Sequence, residues 1–219
     1  MVLLYFIRHY TRLYWKNWFH LLQPFLFFCL IMLLFHLLLR DQQFFTLLFL
    51  PLLLISILLG HLLSLDSLFK NAMASGVWDY VFLSAQPAYW TIPAIIFAHW
   101  LNYGFLIIVL ASPWVIHTVS VLQQAFLCMC ILILFTANLT LTGAFTSALT
   151  ASIKENSLLL SLISIPLYVP NLLFSFAAYQ ATLALDYLSA SLLFLLALFF
   201  FNIAVLPVST YFALNNSNI

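Results

Sequence analysis

Histidines at positions 36, 61, 99 and 117 fall in or beside long apolar runs, and imidazole is the side chain best suited to ligate haem iron or a transition metal near neutral pH. His36 and His117 fall towards one end of those runs and His61 and His99 towards the other. Haem held by His36 and His117 is compatible with that spacing; so is the commoner arrangement in which each ring is hydrogen-bonded at a helix interface or a membrane boundary. His99, between Ala98 and Trp100, is expected to be packed and hydrogen-bonded. Cys29, Cys128 and Cys130 lie within apolar runs. Residues two apart on a helix point to nearly opposite faces, so Cys128 and Cys130 cannot converge on one metal, and all three cysteines are expected to be small buried hydrophobes. Four glycines, at 60, 76, 104 and 143, leave no phosphate-cradling loop of the G-x-x-x-x-G-K-[ST] type. No Asp, Glu, Lys or Arg inside the apolar runs offers an ion or proton relay. The Ser, His and acidic residues show no spacing that suggests a catalytic triad. The chain reads as a non-enzymatic protein without resident cofactor or metal, and any energy it uses must be supplied by a partner.

The elements that carry these residues follow from the charges. Six basic and five acidic residues are spread over 219 positions, 66% of residues are hydrophobic and only 5% are charged, against about a quarter charged in soluble domains. The uncharged gaps match or exceed the ~20 apolar residues that a helix needs to cross a ~30 Å hydrocarbon layer. They are continuously apolar rather than alternating, which excludes membrane β-strands. An all-α, polytopic membrane protein with six transmembrane helices is expected, as one domain over 1–219 with spans at 22–39, 44–65, 91–116, 123–150, 157–179 and 187–212. The run from Tyr80 to Ile153 is too long for one crossing, and its turn is expected between Ser112-Pro113 and Gln123-Gln124. A net charge of +1 without a basic patch argues against a nucleic-acid partner. The N-terminus lacks a signal-peptide cleavage step after its first apolar run, so the first span is expected to stay attached.

Six spans put both termini on one side. Arg8, Arg12, Lys16, Lys70 and Lys154 share that side and Arg40 alone lies opposite, which by the positive-inside rule makes it cytoplasmic. Residues 3–19 carry Arg8, Arg12 and Lys16 as one stripe among aromatic and aliphatic side chains, the pattern of an interfacial elbow helix in the headgroup layer, or else of a charged flank that only sets topology. Between Leu65 and Tyr80, apolar residues including Phe69, Met73 and Gly76 recur at helical spacing, opposite Asp66, Ser67, Lys70, Asn71, Ser75 and Asp79. This is expected to be a cytoplasmic coupling helix joined directly to two spans, on whose surface a soluble partner can push; the bland alternative is a helix resting on the membrane. Pro166 and Pro170 each remove a backbone donor and should kink or break the fifth span, as a packing feature or a substrate site. Gly143, Ser147 and Ala151 form a small-residue stripe that admits a close helix neighbour, with Ala144, Ala148 and Ser152 beside it.

The order of these features resembles the membrane subunit of an ABC-2-type exporter. More narrowly it is similar to the CcmB family, the haem exporter protein B of the cytochrome c maturation system. The likeness is carried by residues 62–70 (Leu-Leu-Ser-Leu-Asp-Ser-Leu-Phe-Lys), Gly76, Pro87, Ala98-His99-Trp100-Leu101, residues 139–144 (Leu-Thr-Leu-Thr-Gly-Ala) and the run from Leu158 to Pro170. The resemblance implies a partner ATPase, CcmA, docked on Asp66, Phe69, Lys70, Met73, Gly76 and Asp79. It implies a complex with the membrane subunits CcmC and CcmD, in which ATP turnover frees the haem-loaded chaperone CcmE on the outer face. No haem site is carried over by it, and the location implied is the bacterial inner membrane or its mitochondrial equivalent. A self-sufficient membrane haem-binding or carrier protein working without an ATPase is the alternative, and a scaffold for complex assembly is a third reading.

Overall fold

The computed structural model describes residues 7–12, 18–38, 42–65, 68–69, 88–119, 121–151 and 157–216. A short helix over residues 7–12, α1, precedes α2 (Trp18–Leu38) and α3 (Gln42–Leu65). Next, α4 (Ala88–His99) runs through a π-helical turn at Trp100–Gly104 into α5 (Phe105–Thr118), so that the three make one rod. The chain continues with α6 (Leu122–Thr150), α7 (Ser157–Leu183) and α8 (Ala190–Asn216). No strand occurs among the described residues, and the chain is an all-α polytopic membrane protein. Leu48–Leu65, Trp90–Ile116, Leu122–Thr150, Leu158–Leu183 and Ala190–Asn215 are long and apolar enough to cross a bilayer. The shorter apolar stretch Leu22–Leu38 stands at the lower limit of about 17 residues for a crossing. Of the expected coupling helix, Asp66, Ser67 and residues 70–80 lie outside the described residues, as do residues 3–6 and 13–17 of the expected elbow helix.

Polarity is arranged for lipid. Buried positions include Ser56, Thr136, Asn138, Thr142, Thr146, Ser164, Asn171 and Asn202, while Leu26, Leu30, Phe126, Leu162, Phe200 and Phe212 face outward. Hydrocarbon supplies no hydrogen bonds, so buried hydroxyls must find partners within the protein. Most fold back on their own helix, as Ser56 does to Leu52 O at 2.6 Å, Thr140 to Thr136 O at 2.9 Å and Thr182 to Ala178 O at 2.9 Å.

The turn between α5 and α6 falls at Val119–Val121, where Val119 and Val121 are extended. This lies within the stretch from Ser112-Pro113 to Gln123-Gln124 where the turn is expected, while Ser112-Pro113 itself belongs to α5. Pro113 cannot donate to the carbonyl four residues before it, and the Ser112 hydroxyl donates to that same carbonyl of Val109, at 2.8 Å. The helix therefore continues through the proline. In the same way α7 runs on through Pro166 and Pro170, both facing outward.

At the opposite end of α7 the chain closes in a Schellman motif: Asp186 N donates to Ala181 O at 2.9 Å and Leu185 N to Thr182 O at 3.2 Å, with Leu185 at φ 66°. The Gln124 side-chain amide of α6 adds donors to the Thr182 and Leu183 carbonyls at 3.4 and 3.5 Å. Ser189 then opens α8, its hydroxyl accepting from Leu192 N at 3.3 Å.

Helix α6 is the hub, packing on α3, α4, α5, α7 and α8, whereas α2 packs chiefly on α3. One apolar cluster fills the bundle around Leu53, Ile57, Tyr103, Ile107, Leu132 and Phe135. A second gathers Phe69 with Ile92, Ile95 and Ile96 of α4, Ala144 and Ala148 of α6 and Leu214 of α8, and Tyr10 of α1 packs against it. The start of α4 and the ends of α6 and α8 meet there, so α1, Phe69 and the C-terminal helix end share one end of the bundle.

Candidate functional site

The small-residue stripe of α6 receives the end of α3. A Cβ placed on Gly143 would collide with a methyl of Leu65 and with the Tyr168 hydroxyl of α7, so only glycine lets both approach. One turn on, Ser147 Oγ donates to Leu65 O at 3.0 Å, the carbonyl that also accepts from Leu68 N at 3.0 Å. A helix end leaves its last carbonyls without partners, and here one is claimed by a side chain from another span. Ala151 lies in the second cluster with Ala144 and Ala148, against which Phe69 is wholly buried. Thr146 and Ser164 share a hydrogen bond of 2.7 Å that draws α7 onto the same turn of α6. The exit of α3 is therefore pinned to α6 at three successive levels: Gly143, Ser147, and the alanines that hold Phe69.

That pinning corrects one expectation. Phe69 belongs to the apolar side of the 65–80 segment and is fully buried rather than offered to a partner, because it joins the apolar cluster of α4, α6 and α8 at this end of the bundle. Asp66, Lys70, Met73, Gly76 and Asp79 lie outside the described residues.

Deeper in the bundle, α3 and α4 bring together the two histidines that the sequence puts towards the same end. The His61 and His99 ring centroids lie 5.7 Å apart and nearly perpendicular, and Tyr103 stacks on His99 at 6.0 Å and sits 5.2 Å from His61. His99 Nε2 shares a hydrogen bond of 3.1 Å with Ser64 Oγ, as the packed and bonded reading of His99 expects. The backbone of Leu139 lies beside His61, yet neither His61 nitrogen closes a hydrogen bond among the described residues. Gly60 gives Tyr103 its place: a Cβ there would lie 2.5 Å from the hydroxyl. The rings contact one another directly, without a gap for a macrocycle. No group of three metal-ligating side chains occurs among the described residues. Of the cysteines expected to be buried, Cys128 is and Cys130 is half-buried, whereas Cys29 is exposed, since its position on α2 faces outward. His36, on the outward surface of α2, is remote in sequence from this cluster, and the His117 side chain lies outside the described residues.

Near the middle of the spans, asparagines join helices. Asn202 Nδ2 of α8 donates to Asn138 Oδ1 of α6 at 2.8 Å, and Asn171 Nδ2 of α7 donates to Phe135 O at 3.0 Å. Trp100 Nε1 in the π turn donates to Thr136 Oγ1 at 3.2 Å, and Asn102 Nδ2 donates to Ala98 O at 2.7 Å where the backbone pattern shifts. These contacts are absent from the expectations drawn from sequence. Their signal is a lone amide in an otherwise apolar span, which is costly unless another helix answers it. What the constellation supplies is a set of interhelical contacts around one pinned exit.

Comparison with known proteins agrees in kind. The family described as CcmB protein matches residues 1–217. Heme exporter protein B of Pseudomonas aeruginosa is 34% identical over 175 residues, covering 79% of this chain and 78% of that protein. The protein of the same name from Paracoccus denitrificans is 32% identical over 170 residues, 72% of each chain. That of Haemophilus influenzae is 34% identical over 128 residues, 58% of each. An all-helical membrane chain matched by the family over all but its last two residues belongs to the CcmB protein family.

Proposed function

We propose that this chain is the membrane subunit of a haem exporter serving cytochrome c maturation, and that it transmits force rather than performing chemistry. The relatives are named for haem export, and haem is the substrate of the proposed assembly, not a resident group of this chain. Residues 65–80 form the coupling segment on which a partner ATPase of the CcmA type docks, through Asp66, Lys70, Met73, Gly76 and Asp79, with Phe69 as the buried anchor. CcmC and CcmD complete the complex, and ATP turnover frees haem-loaded CcmE on the far side. Both termini and the coupling segment face the cytoplasm across the bacterial inner membrane.

The observation that supports this reading is the pinned exit of α3. A segment pushed from outside can move transmembrane helices only if its attachment is stiff, and Leu65 and Phe69 are held on α6, the helix that packs on five others. A loose linker would absorb the displacement.

The test is affinity isolation of the tagged full-length chain in mild detergent, with charge reversal at Asp66, Lys70 and Asp79 together. The variant is expected to insert in the membrane and to lose the ATPase from the isolate. An ATPase retained at the parental level removes docking from this segment.

A further inference from the structure

We infer that the groove between α1, α4, α6 and α8 is a binding site for one acyl chain of an anionic phospholipid, with its headgroup on Arg8 and Arg12. The groove has a volume of about 460 Å³ and is lined by Pro93 and Trp100 of α4 and the π turn, Ile133 and Ala137 of α6, Phe199 and Pro207 of α8, with Ile7 of α1 at its end. Its walls run along three spans over eight or nine residues each, a rise of about 10 to 12 Å at 1.5 Å per residue. That is most of the ~15 Å that one leaflet contributes to a ~30 Å hydrocarbon core. The groove is thus a slot parallel to the spans, within one leaflet, and open to lipid beside the exposed Phe97, Ile133 and Ile203.

The lining chemistry selects an apolar occupant. Trp100 and Thr140 are its hydrogen-bonding side chains among the described residues, and both are engaged inside the protein, with Thr136 Oγ1 and Thr136 O respectively. No imidazole, thiol or thioether is among the described lining side chains, so nothing there would ligate haem iron. The charge lies at one end. Ile7 lines the groove and Tyr10 packs against the bundle; Arg8, next to Ile7, and Arg12, one turn on, are exposed at the same end. Basic residues near an anionic surface attract its headgroups. Apolar slot and paired cations match the two ends of a single anionic lipid.

The test uses the full-length chain in mild detergent, with thermal unfolding followed as dioleoyl phosphatidylglycerol or dioleoyl phosphatidylcholine is added. Phosphatidylglycerol is expected to raise the midpoint more, by several degrees; equal shifts overturn the proposal. Arg8→Gln with Arg12→Gln should erase the difference between the two lipids, and Ala137→Phe, which fills the slot, should erase the phosphatidylglycerol shift. Retention of the shift in Ala137→Phe overturns it. A second measurement needs no variant: phosphatidylglycerol carrying a diazirine in its acyl chain should label residues 93–100, 133–141 and 199–207 above other lipid-facing segments. Uniform labelling of all spans overturns the site, and so does crosslinking of Phe97→Cys between two copies of the chain, which would assign the groove to a protein interface.

Discussion

Gly143 is the residue with the least freedom in the pinned exit. Gly143→Val would drive a branched side chain into Leu65 and Tyr168, and overpacking of this kind costs about 1 to 3 kcal/mol. Ser147→Ala removes only the bond to Leu65 O, a loss of about 0.6 to 1.5 kcal/mol. Unfolding of the purified chain in mixed detergent should therefore rank the parent above Ser147→Ala and that above Gly143→Val; the reverse order would mean that the carbonyl bond, not close approach, holds α3. Tyr103 behaves differently. Its hydroxyl is buried without a hydrogen-bond partner among the described residues, so Tyr103→Phe deletes a desolvated group and should leave stability unchanged or raised, whereas Tyr103→Ala should cost about 3 to 5 kcal/mol. Thermal midpoints of the two variants check this, and a large loss in Tyr103→Phe would reveal a bond to that hydroxyl. The stripe at 143, 147 and 151 is legible in the sequence because small residues four apart on an apolar helix serve close approach. That α3 fills it by its last residue is not legible, since Leu65 is one leucine among many and only the bundle's geometry selects it.

Among the elements, α7 stays helical through Pro166 and Pro170, with both rings outward. The span is therefore not broken there, and the kink that interior prolines also predict is compatible with an unbroken helix. Its true end is marked weakly, by Leu185 in the left-handed region where glycine is customary. That conformation costs an L-residue about 1 to 2 kcal/mol. Leu185→Gly should accordingly stabilise the chain by about 1 kcal/mol and Leu185→Val should destabilise it; denaturant midpoints of both variants decide, and a destabilised Leu185→Gly would show that the leucine side chain itself anchors the turn. Of the N-terminal segment expected as an interfacial helix over 3–19, the structure describes α1, where Arg8 and Arg12 are exposed and Tyr10 packs against the bundle.

The whole molecule was the most legible part, because hydrocarbon thickness imposes its length on every crossing helix and charge is too expensive to hide. Long uncharged gaps translate directly into spans, whereas the contacts between spans are made by residues of the same apolar kind and carry no comparable signature. Sidedness is the property of the whole that remains to be measured. Single cysteines introduced at Leu122 and Leu188, in a chain with Cys29, Cys128 and Cys130 replaced by serine or alanine, should react with an impermeant maleimide from one side of sealed vesicles. Cysteines at Ser75 and Glu155 should react only from the other, and labelling of all four from one side would refute the antiparallel arrangement. A π turn holds one residue more than the α-helix it interrupts, so Trp100–Gly104 is a place where a span can shed a single amino acid and close up into regular helix. Natural length variation inside the spans of this family should concentrate there, since a deletion elsewhere in a crossing helix would rotate every later side chain by about 100°.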